Sequence, residues 1–359
     1  MDINSIDYWL NKFEDEDLTS KRSIDEINIE IKKSLKNGNY ENLLIDEDEL
    51  LNKSEKPGII IKRTDIKIQP HENIVLEPNN KHLDMNQMTA LNIYDIVDIK
   101  EETKNWYYIN SSTADGWIKK SDVALIKNRK EISNIKNSKN FILVNQSYLE
   151  TEFNVHDDRA SFVEFFLGDK IPLSQDYYDE YPQPGYKIKI PVKNKDNYVE
   201  FIDGFIALNK EIEKNYLNYT RKNLLKTAFK MLGEAYGWGS RLRRRDCSSY
   251  IMDIMKIFGI KIPRNSGIQE IAGNFNCIKK ENIDIEKIKP GDILYMKGHV
   301  MLYIGKDKEK HYVIHSGAGY SEKNEIKNVY SVFIMDIEKT LKSGKSTYID
   351  ALTSVVKLY

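Results

Sequence analysis

Three side chains in this 359-residue chain have the types and placement for covalent catalysis: Cys247, His299 and His315. Cys247 opens an apolar pattern at helical spacing, Ile251, Ile254, Met255 and Phe258, which Gly259 ends. It therefore falls in the first helical turn. Unpaired N–H groups and the positive end of the helix dipole favour an anion there, so a thiol with a lowered pKa is expected. A thiolate nucleophile needs a base within hydrogen-bond reach and a group that orients the base. Residues 298–305 and 311–315 alternate as strands around the turn material 306–310. Folded as an antiparallel hairpin about position 307, they set Val300 opposite Ile314, Met301 opposite Val313 and His299 opposite His315. Cβ atoms so placed lie about 5 Å apart. The roles that follow are Cys247 as nucleophile, His299 as general base and then acid, and His315 as orienter. The same three side chains could ligate zinc. The chain has only two cysteines, Cys247 and Cys277, and lacks the local C-x-x-C spacing of such sites, so neither a metal nor another cofactor is expected.

The elements around these residues suggest several domains, since the length exceeds one ordinary core. Lys and Arg number 54 against 55 acids, giving a net charge of −1 and no electrostatic footprint for nucleic acid. No apolar run reaches membrane-spanning length. The first residues lack the basic and apolar regions of a secretion signal. A cytoplasmic setting follows if the chain begins there, and an extracellular or cell-wall setting if a leader has been removed. Residues 1–57 are acidic and helical in pattern: Ile6, Trp9, Leu10 and Phe13 form a stripe, and Ser23 with Glu26 resembles a capping box ahead of Ile27, Ile29, Ile31 and Leu35. They have too little apolar surface to fold alone and read as a clip. Residues 58–128 and 139–210 carry short, evenly spaced strands, as in two small barrels, joined by a charged linker. Residues 212–359 read as helices followed by strands, an α+β domain. The arginines at 241 and 243–245 form a charge run expected to face solvent. His71, His82 and His156 read as ordinary loop or surface histidines, and Cys277 has no expected role.

Six ordered stretches make the last region resemble the NlpC/P60 family of papain-like cysteine peptidases: Tyr236-Gly-Trp-Gly239, Asp246-Cys-Ser248, Pro263-Arg-Asn-Ser266, Lys289-Pro-Gly-Asp292, Gly298-His-Val300 and His315. Arg63-Thr-Asp-Ile66, Asn105-Trp106 and Asp115-Gly-Trp-Ile118 resemble the bacterial SH3 modules of such proteins. The implied architecture is multi-domain α+β: an N-terminal helical clip, two SH3-like β-barrels and a papain-like α+β domain. The resemblance implies hydrolysis of peptidoglycan stem peptides, or murein fragments, between D-γ-glutamate and a diamino acid. It makes Cys247, His299 and His315 a catalytic triad. It gives Asp246 the free amine of an N-terminal L-Ala, and gives Tyr236, Ser248 and Ser266 the pocket for the glutamyl residue. Tyr107 or Tyr108 of the first barrel would close the amine end. Ser249 and Ser240 stand where the family has glycine, and Ala235 where proline is common. Two other readings compete. An inactive wall-binding scaffold would hold sacculi without releasing peptide. A papain-like amidase or acyltransferase would share the thioester step, and the transferase would need a second amine acceptor.

Overall fold

The computed structural model describes residues 2–40, 46–78, 80–178 and 184–359. Residues 1 and 41–45 of the expected clip, 79 of the first expected barrel and 179–183 of the second lie outside the described residues. Among the described residues the helices are α1 (Ile6–Leu10), α2 (Ile24–Asn37), α3 (Glu47–Lys53), α4 (Arg129–Lys136), α5 (Arg221–Phe229), α6 (Cys247–Lys256) and α7 (Ser266–Ala272). No helix among these residues is long and apolar enough to cross a membrane. The chain divides into two units, one formed by Met1–Glu41 with Leu217–Tyr359 and the other by Asn42–Tyr216.

The first unit contains the candidate chemistry. Its antiparallel sheet runs Cys277–Lys279, Leu352–Val356, Ile293–Met296, His299–Asp307, Lys310–Glu322, Glu325–Asp336. α6 packs on the strands His299–Asp307 and Lys310–Glu322. The hairpin between those two strands forms, but in a different register from the expected one. Leu302 pairs with Ile314 and Tyr303 with Val313. A bulge then puts Gly305 opposite Tyr312, and the turn closes at Asp307 and Lys310. Lys308 takes a left-handed φ of 53° in that two-residue turn. The tighter turn and the extra residue Ile304 shift the pairing by two residues at the base. An even shift keeps every side chain on its expected face. His299 and His315 therefore remain on one face, offset diagonally instead of directly opposite.

The N-terminal helices hold this hairpin from outside. The Ser23 hydroxyl accepts from the Glu26 N–H, and the Glu26 carboxylate accepts from the Ser23 N–H at 2.8 Å, a complete capping box. α2 buries Ile27, Ile31 and Leu35, which share one face at a spacing of four, while Ile29 points to water at 50% exposure. Trp9 is fully buried. Its ring packs on Tyr312 at 5.3 Å between centroids, and a Cβ on Gly305 would lie only 3.2 Å from it. Gly305 thus serves both the bulge and the close approach of the indole. Lys12 pairs with Asp307 at 2.8 Å and Glu16 with Arg221 at 2.6 Å. Asn28 brackets the end of the α6 segment, donating to the Gly259 carbonyl and accepting from the Lys261 N–H.

The second unit holds two larger antiparallel sheets and two two-stranded ones, Leu76–Glu77 with Asn80–Asp84 and Tyr148–Glu150 with Glu164–Phe166. The first of the larger sheets runs Gln87–Leu91, Thr64–Lys67, Gly116–Lys119, Trp106–Ser111, Ile96–Glu102, Pro57–Ile60, Val123–Leu125; the second runs Val199–Ile206, Gly185–Lys193, Lys170–Tyr178, Phe141–Val144, Ile212–Glu213. Closed barrels were the expectation. Among the described residues, however, the end strands of each larger sheet do not pair with each other. One apolar cluster draws on both sheets, including Ile59, Ile96, Ile142, Phe165 and Ile188, so they form one unit with a common core. Two boundaries differ from expectation. α3 contributes Leu50 and Leu51 to this cluster instead of belonging to the clip. The charged stretch 127–139 is no open linker, because it contains α4, capped by Asn128 and anchored by buried Ile132. Tyr107 is buried in a smaller core with Ile66, Ile109 and Ile118, and Tyr108 packs edge-on against Trp117.

If the clip fixes the hairpin as described, Trp9→Ala should destabilise the chain by about 3–5 kcal/mol in urea unfolding, the range for removing a buried tryptophan. A loss under about 1 kcal/mol would contradict this packing.

Candidate active site

The start of α6 is built by Asp246 as its N-cap. One carboxylate oxygen accepts from the Ser249 N–H at 2.9 Å, and the Ser249 hydroxyl accepts from the Asp246 N–H at 3.0 Å. Ser249, which stands where glycine was expected, thus completes a capping box. Cys247 follows as the first helical residue and is 9% exposed. Backbone N–H groups of Ser248 and Val300 reach its sulfur. The neighbour of Val300 is His299, so the contact brings the imidazole strand to Cys247. The hydroxyl of Ser316, next to His315, donates to the Arg245 carbonyl at 2.8 Å and fastens the other strand to the segment leading into Cys247.

His299 Nε2 and His315 Nδ1 share a hydrogen bond of 2.7 Å, with the rings nearly perpendicular at 81°. His315 is fully buried. Phe333 lies 4.5 Å from its ring centre, and Tyr348 stands edge-on to both imidazoles, at 5.9 Å from His315 and 6.3 Å from His299. A Cβ on Gly317 would fall 2.8 Å from the His315 ring, so glycine leaves the space that the imidazole fills. The second nitrogen of His315, Nε2, has no hydrogen-bond partner. Tyr348 and Phe333 carried no signal in the sequence, because Phe333 meets the histidines through strand pairing and Tyr348 through the turn region that precedes Leu352–Val356.

The expected low thiol pKa is not found. Burial, followed by the charge of Asp246, pushes the Cys247 thiol up to about 12, outweighing the nearby N–H groups and Arg264. Burial pulls His299 down to about 4, and pulls His315 well below the usual histidine value with help from His299. Burial thus favours the neutral forms of the thiol and of both imidazoles.

Asp246 is also more committed than its expected role requires. Arg264 grips it with two donors at 3.0 and 2.6 Å, and the Ser249 and Gly239 N–H groups and the Ser248 hydroxyl bring the total to five hydrogen bonds. A carboxylate has about four lone-pair sites, so protein donors already fill this one. Burial raises its pKa, but the Arg264 charge and these bonds bring the net value below the usual carboxylate range. Arg264 also donates to the Ser248 hydroxyl at 2.8 Å and to the Ser240 hydroxyl at 3.0 Å. Ser240 sits at φ 60°, a left-handed position suited to the glycine expected there, and its hydroxyl joins this network. Arg264 lay inside a recognised motif, yet its type alone did not reveal this partner.

The remaining expected site residues are placed as follows. Tyr236 is half-buried, and burial, followed by the charge of Asp246, raises its hydroxyl well above the usual tyrosine value. Ser248 and Ser266 are buried at the starts of α6 and α7. Gln269 of α7 ties the two helices by donating to the Ser248 and Pro263 carbonyls. Tyr107 and Tyr108 belong to the other unit. The arginine run divides: Arg243 and Arg244 are exposed, but Arg245 is buried between Glu234 and Asp253 at 2.8 Å each, against the expectation of a solvated face. Among the described residues, no cluster of three or more His, Cys, Asp or Glu side chains could hold a metal ion.

The NlpC/P60 family model matches residues 233–335. Over 120 residues the chain is 29% identical to gamma-D-glutamyl-L-lysine dipeptidyl-peptidase of Bacillus subtilis (strain 168), covering 31% of this chain and 38% of that protein. Over 131 residues it is 26% identical to dipeptidyl-peptidase 6 of Lysinibacillus sphaericus, covering 36% and 45%. The chain thus spans less than half the length of the curated relatives it matches. Among solved structures, an NlpC/P60 endopeptidase from Photobacterium damselae subsp. piscicida is similar with a TM-score of 0.68 at 17% identity, over 84% of this chain and 73% of that one. An NlpC/P60 family protein from Bacillus cereus ATCC 10987 is similar with a TM-score of 0.59 at 18% identity, over 84% and 100%. At these identities the two structures show a shared fold.

The depressed imidazoles make stability depend on pH. An unfolded histidine titrates near 6.5 and folded His299 near 4, so between these values the unfolded chain binds the extra proton. The contribution is complete above about pH 6.5 and is lost as pH falls towards 4. Urea unfolding across this window should show falling stability in the wild type and a shallower slope in His299→Gln. Equal slopes would contradict a buried neutral His299.

Proposed function

We propose that the NlpC/P60 domain at residues 233–335 is a cysteine peptidase that cleaves peptidoglycan stem peptides at the γ-D-glutamyl–diamino acid bond. NlpC/P60 peptidases are cysteine hydrolases of the cell wall, and the matched segment contains Cys247, His299 and His315. The observation that carries the reading is the hydrogen-bonded imidazole pair on a strand whose next N–H, that of Val300, meets the Cys247 sulfur.

The geometry supports a stepwise acyl transfer to water. His299 Nε2 is engaged with His315 Nδ1, which leaves His299 Nδ1 for the thiol. If Nε2 carries the shared proton and His315 Nδ1 accepts it, Nδ1 of His299 is held unprotonated and ready to act as a base. Because thiol and imidazole both rest neutral, proton transfer to His299 accompanies attack of sulfur on the γ-glutamyl carbonyl. The Cys247 N–H at the helix start and the Tyr236 hydroxyl would donate to the developing oxyanion. His299 then protonates the departing amine, a thioester remains on Cys247, and water hydrolyses it with His299 again as base.

Ser248 and Ser266, on the first turns of adjacent helices, would receive the glutamyl residue. A preference for a free N-terminal L-Ala rests on likeness to the relatives named dipeptidyl-peptidases. Asp246 can meet that ammonium group only if Arg264 gives up part of its hold. The sheets of the second unit are read as the two bacterial SH3 modules.

Incubation with L-Ala-γ-D-Glu-diamino acid tests the assignment. Cys247→Ala should lower the cleavage rate by at least about 10³-fold, as expected for loss of a nucleophile; wild-type turnover in that variant would refute it. Acetylating the L-Ala amine should slow the wild-type enzyme, and equal rates on both substrates would remove the amine preference.

A further inference from the structure

The loop that joins the strands Glu325–Asp336 and Leu352–Val356 carries a cation that the proposed reaction does not use. The loop is folded back on itself. The Tyr348 N–H donates to the Lys339 carbonyl at 3.0 Å, the Leu341 N–H to that of Ser346 at 2.9 Å and the Gly344 N–H to that of Leu341 at 2.8 Å. The Ser321 N–H ties it to the sheet through the Thr340 carbonyl at 2.8 Å. Tyr348 stands edge-on to His299 and His315 and donates its hydroxyl to the Gly319 carbonyl at 2.8 Å. Gly319 pairs with Asn328 on the next strand. On that same rung Lys342 donates to the Asn328 side-chain oxygen at 2.7 Å. Tyr348 therefore spans the interval between the imidazole pair and the rung that seats Lys342.

Neutral groups fix Lys342. Besides Asn328, its ammonium meets the Tyr330 hydroxyl at 3.3 Å and lies 4.8 Å from the centre of that ring. Tyr330 takes a left-handed φ of 48°, a backbone that a bulky side chain rarely adopts. Strain of this kind persists where the surroundings impose it, and it gathers at functional sites. The Tyr330 carbonyl accepts from the Tyr236 N–H at 2.8 Å, and Tyr236 bridges to Arg245, two residues before Cys247. Lys342 is thus held at the border of the segment that leads into the nucleophile. Residues 339–347 contain Lys339, Lys342 and Lys345 and no acid. Glu322 answers the charge of Lys339, whereas among the described residues no carboxylate pairs with Lys342. An ammonium fixed in place by uncharged oxygens is prepared for an anionic partner.

We propose that Lys342 reads a carboxylate on the side chain of the diamino acid, so that the preferred substrate carries a diamino dicarboxylic acid of the diaminopimelate type, instead of lysine, after the γ-glutamyl bond. The proposal rests on the peptidase reading above and deepens it. In that reading His299 protonates the departing amine, so the diamino acid lies on the imidazole side, which Tyr348 and its loop flank. The glutamyl residue falls to Ser248 and Ser266 at the starts of α6 and α7. A carboxylate at the far end of the diamino acid would form a charge-assisted hydrogen bond with Lys342. A lysine side chain would bring a second ammonium to the same place and be disfavoured by like charge.

The test is cleavage by the full chain of L-Ala-γ-D-Glu-meso-diaminopimelate, of the same peptide amidated at its side-chain carboxylate, and of L-Ala-γ-D-Glu-L-Lys. The wild type should favour the first over the third by about tenfold or more in kcat/KM, the scale of one hydrogen bond to a charged group, with the difference in KM. Amidation should remove the advantage. In Lys342→Met the ratio should fall to near one, and Lys342→Arg should restore most of it. Both peptides meet the same enzyme, so partial unfolding of a variant does not change the ratio. Equal or reversed preference in the wild type overturns the proposal, as does a ratio that survives Lys342→Met. Equal loss on both peptides also overturns it, since the lysine would then serve the glutamyl carboxylate that they share. Titration calorimetry of both peptides with the Cys247→Ala chain separates this from the peptidase assignment. If the wild type cuts neither peptide, that assignment falls, while the ratio of binding constants, with and without Lys342→Met, decides the role of Lys342 by the same limits. Binding of neither peptide overturns it.

Discussion

The hydrogen bond between His299 and His315 is the constraint on which the first unit depends. It joins two imidazoles that burial keeps neutral, in a setting where a charged ring would be costly. Neutrality leaves one shared proton on the line between them, and that proton decides which nitrogen of His299 can accept another. Gly317 makes room for the pair, Phe333 and Tyr348 wall it in, and the Ser316–Arg245 bond keeps it beside the α6 start. Farther out, Trp9 seats on the bulge at Gly305 of the same hairpin. The N-terminal segment therefore packs on the strand that bears His299.

A second buried network lies around the start of α6. Asp246 caps α6, and Arg264 neutralises it while holding the hydroxyls of Ser248 and Ser240. Removing one partner of such a pair strands a charge in a dry setting, typically at about 3–5 kcal/mol. The same pairing keeps the sulfur from facing an uncompensated carboxylate, which would disfavour a thiolate further. The charges around Cys247 are thus paired among themselves.

Much of this site was legible in the residues. Helical spacing after Cys247 located its first turn, and strand alternation placed two histidines on one face of one hairpin. That inference survived a wrong register because the error was even: the bulge at Ile304 and the turn at Lys308 together moved the base of the hairpin by two residues. Features created only by packing were not legible. The direction of the Cys247 shift depends on burial, which a helix position does not disclose. Arg245 looks like its exposed neighbours in the sequence, and only the fold sets it between Glu234 and Asp253. Likewise α3 carries the acidic pattern of the clip, but Leu50 and Leu51 find their apolar partners in the other unit.

Burial favours Cys247 as a thiol beside a neutral imidazole over half of an ion pair. Iodoacetamide alkylation of Cys247, resolved from Cys277 by peptide mass spectrometry and followed against pH, measures this most directly, since only the thiolate reacts. The rate should stay low through neutrality and keep climbing above about pH 9, consistent with a thiol raised by burial. A fast plateau between about pH 5 and about pH 7, the mark of a preformed thiolate–imidazolium pair, would contradict it.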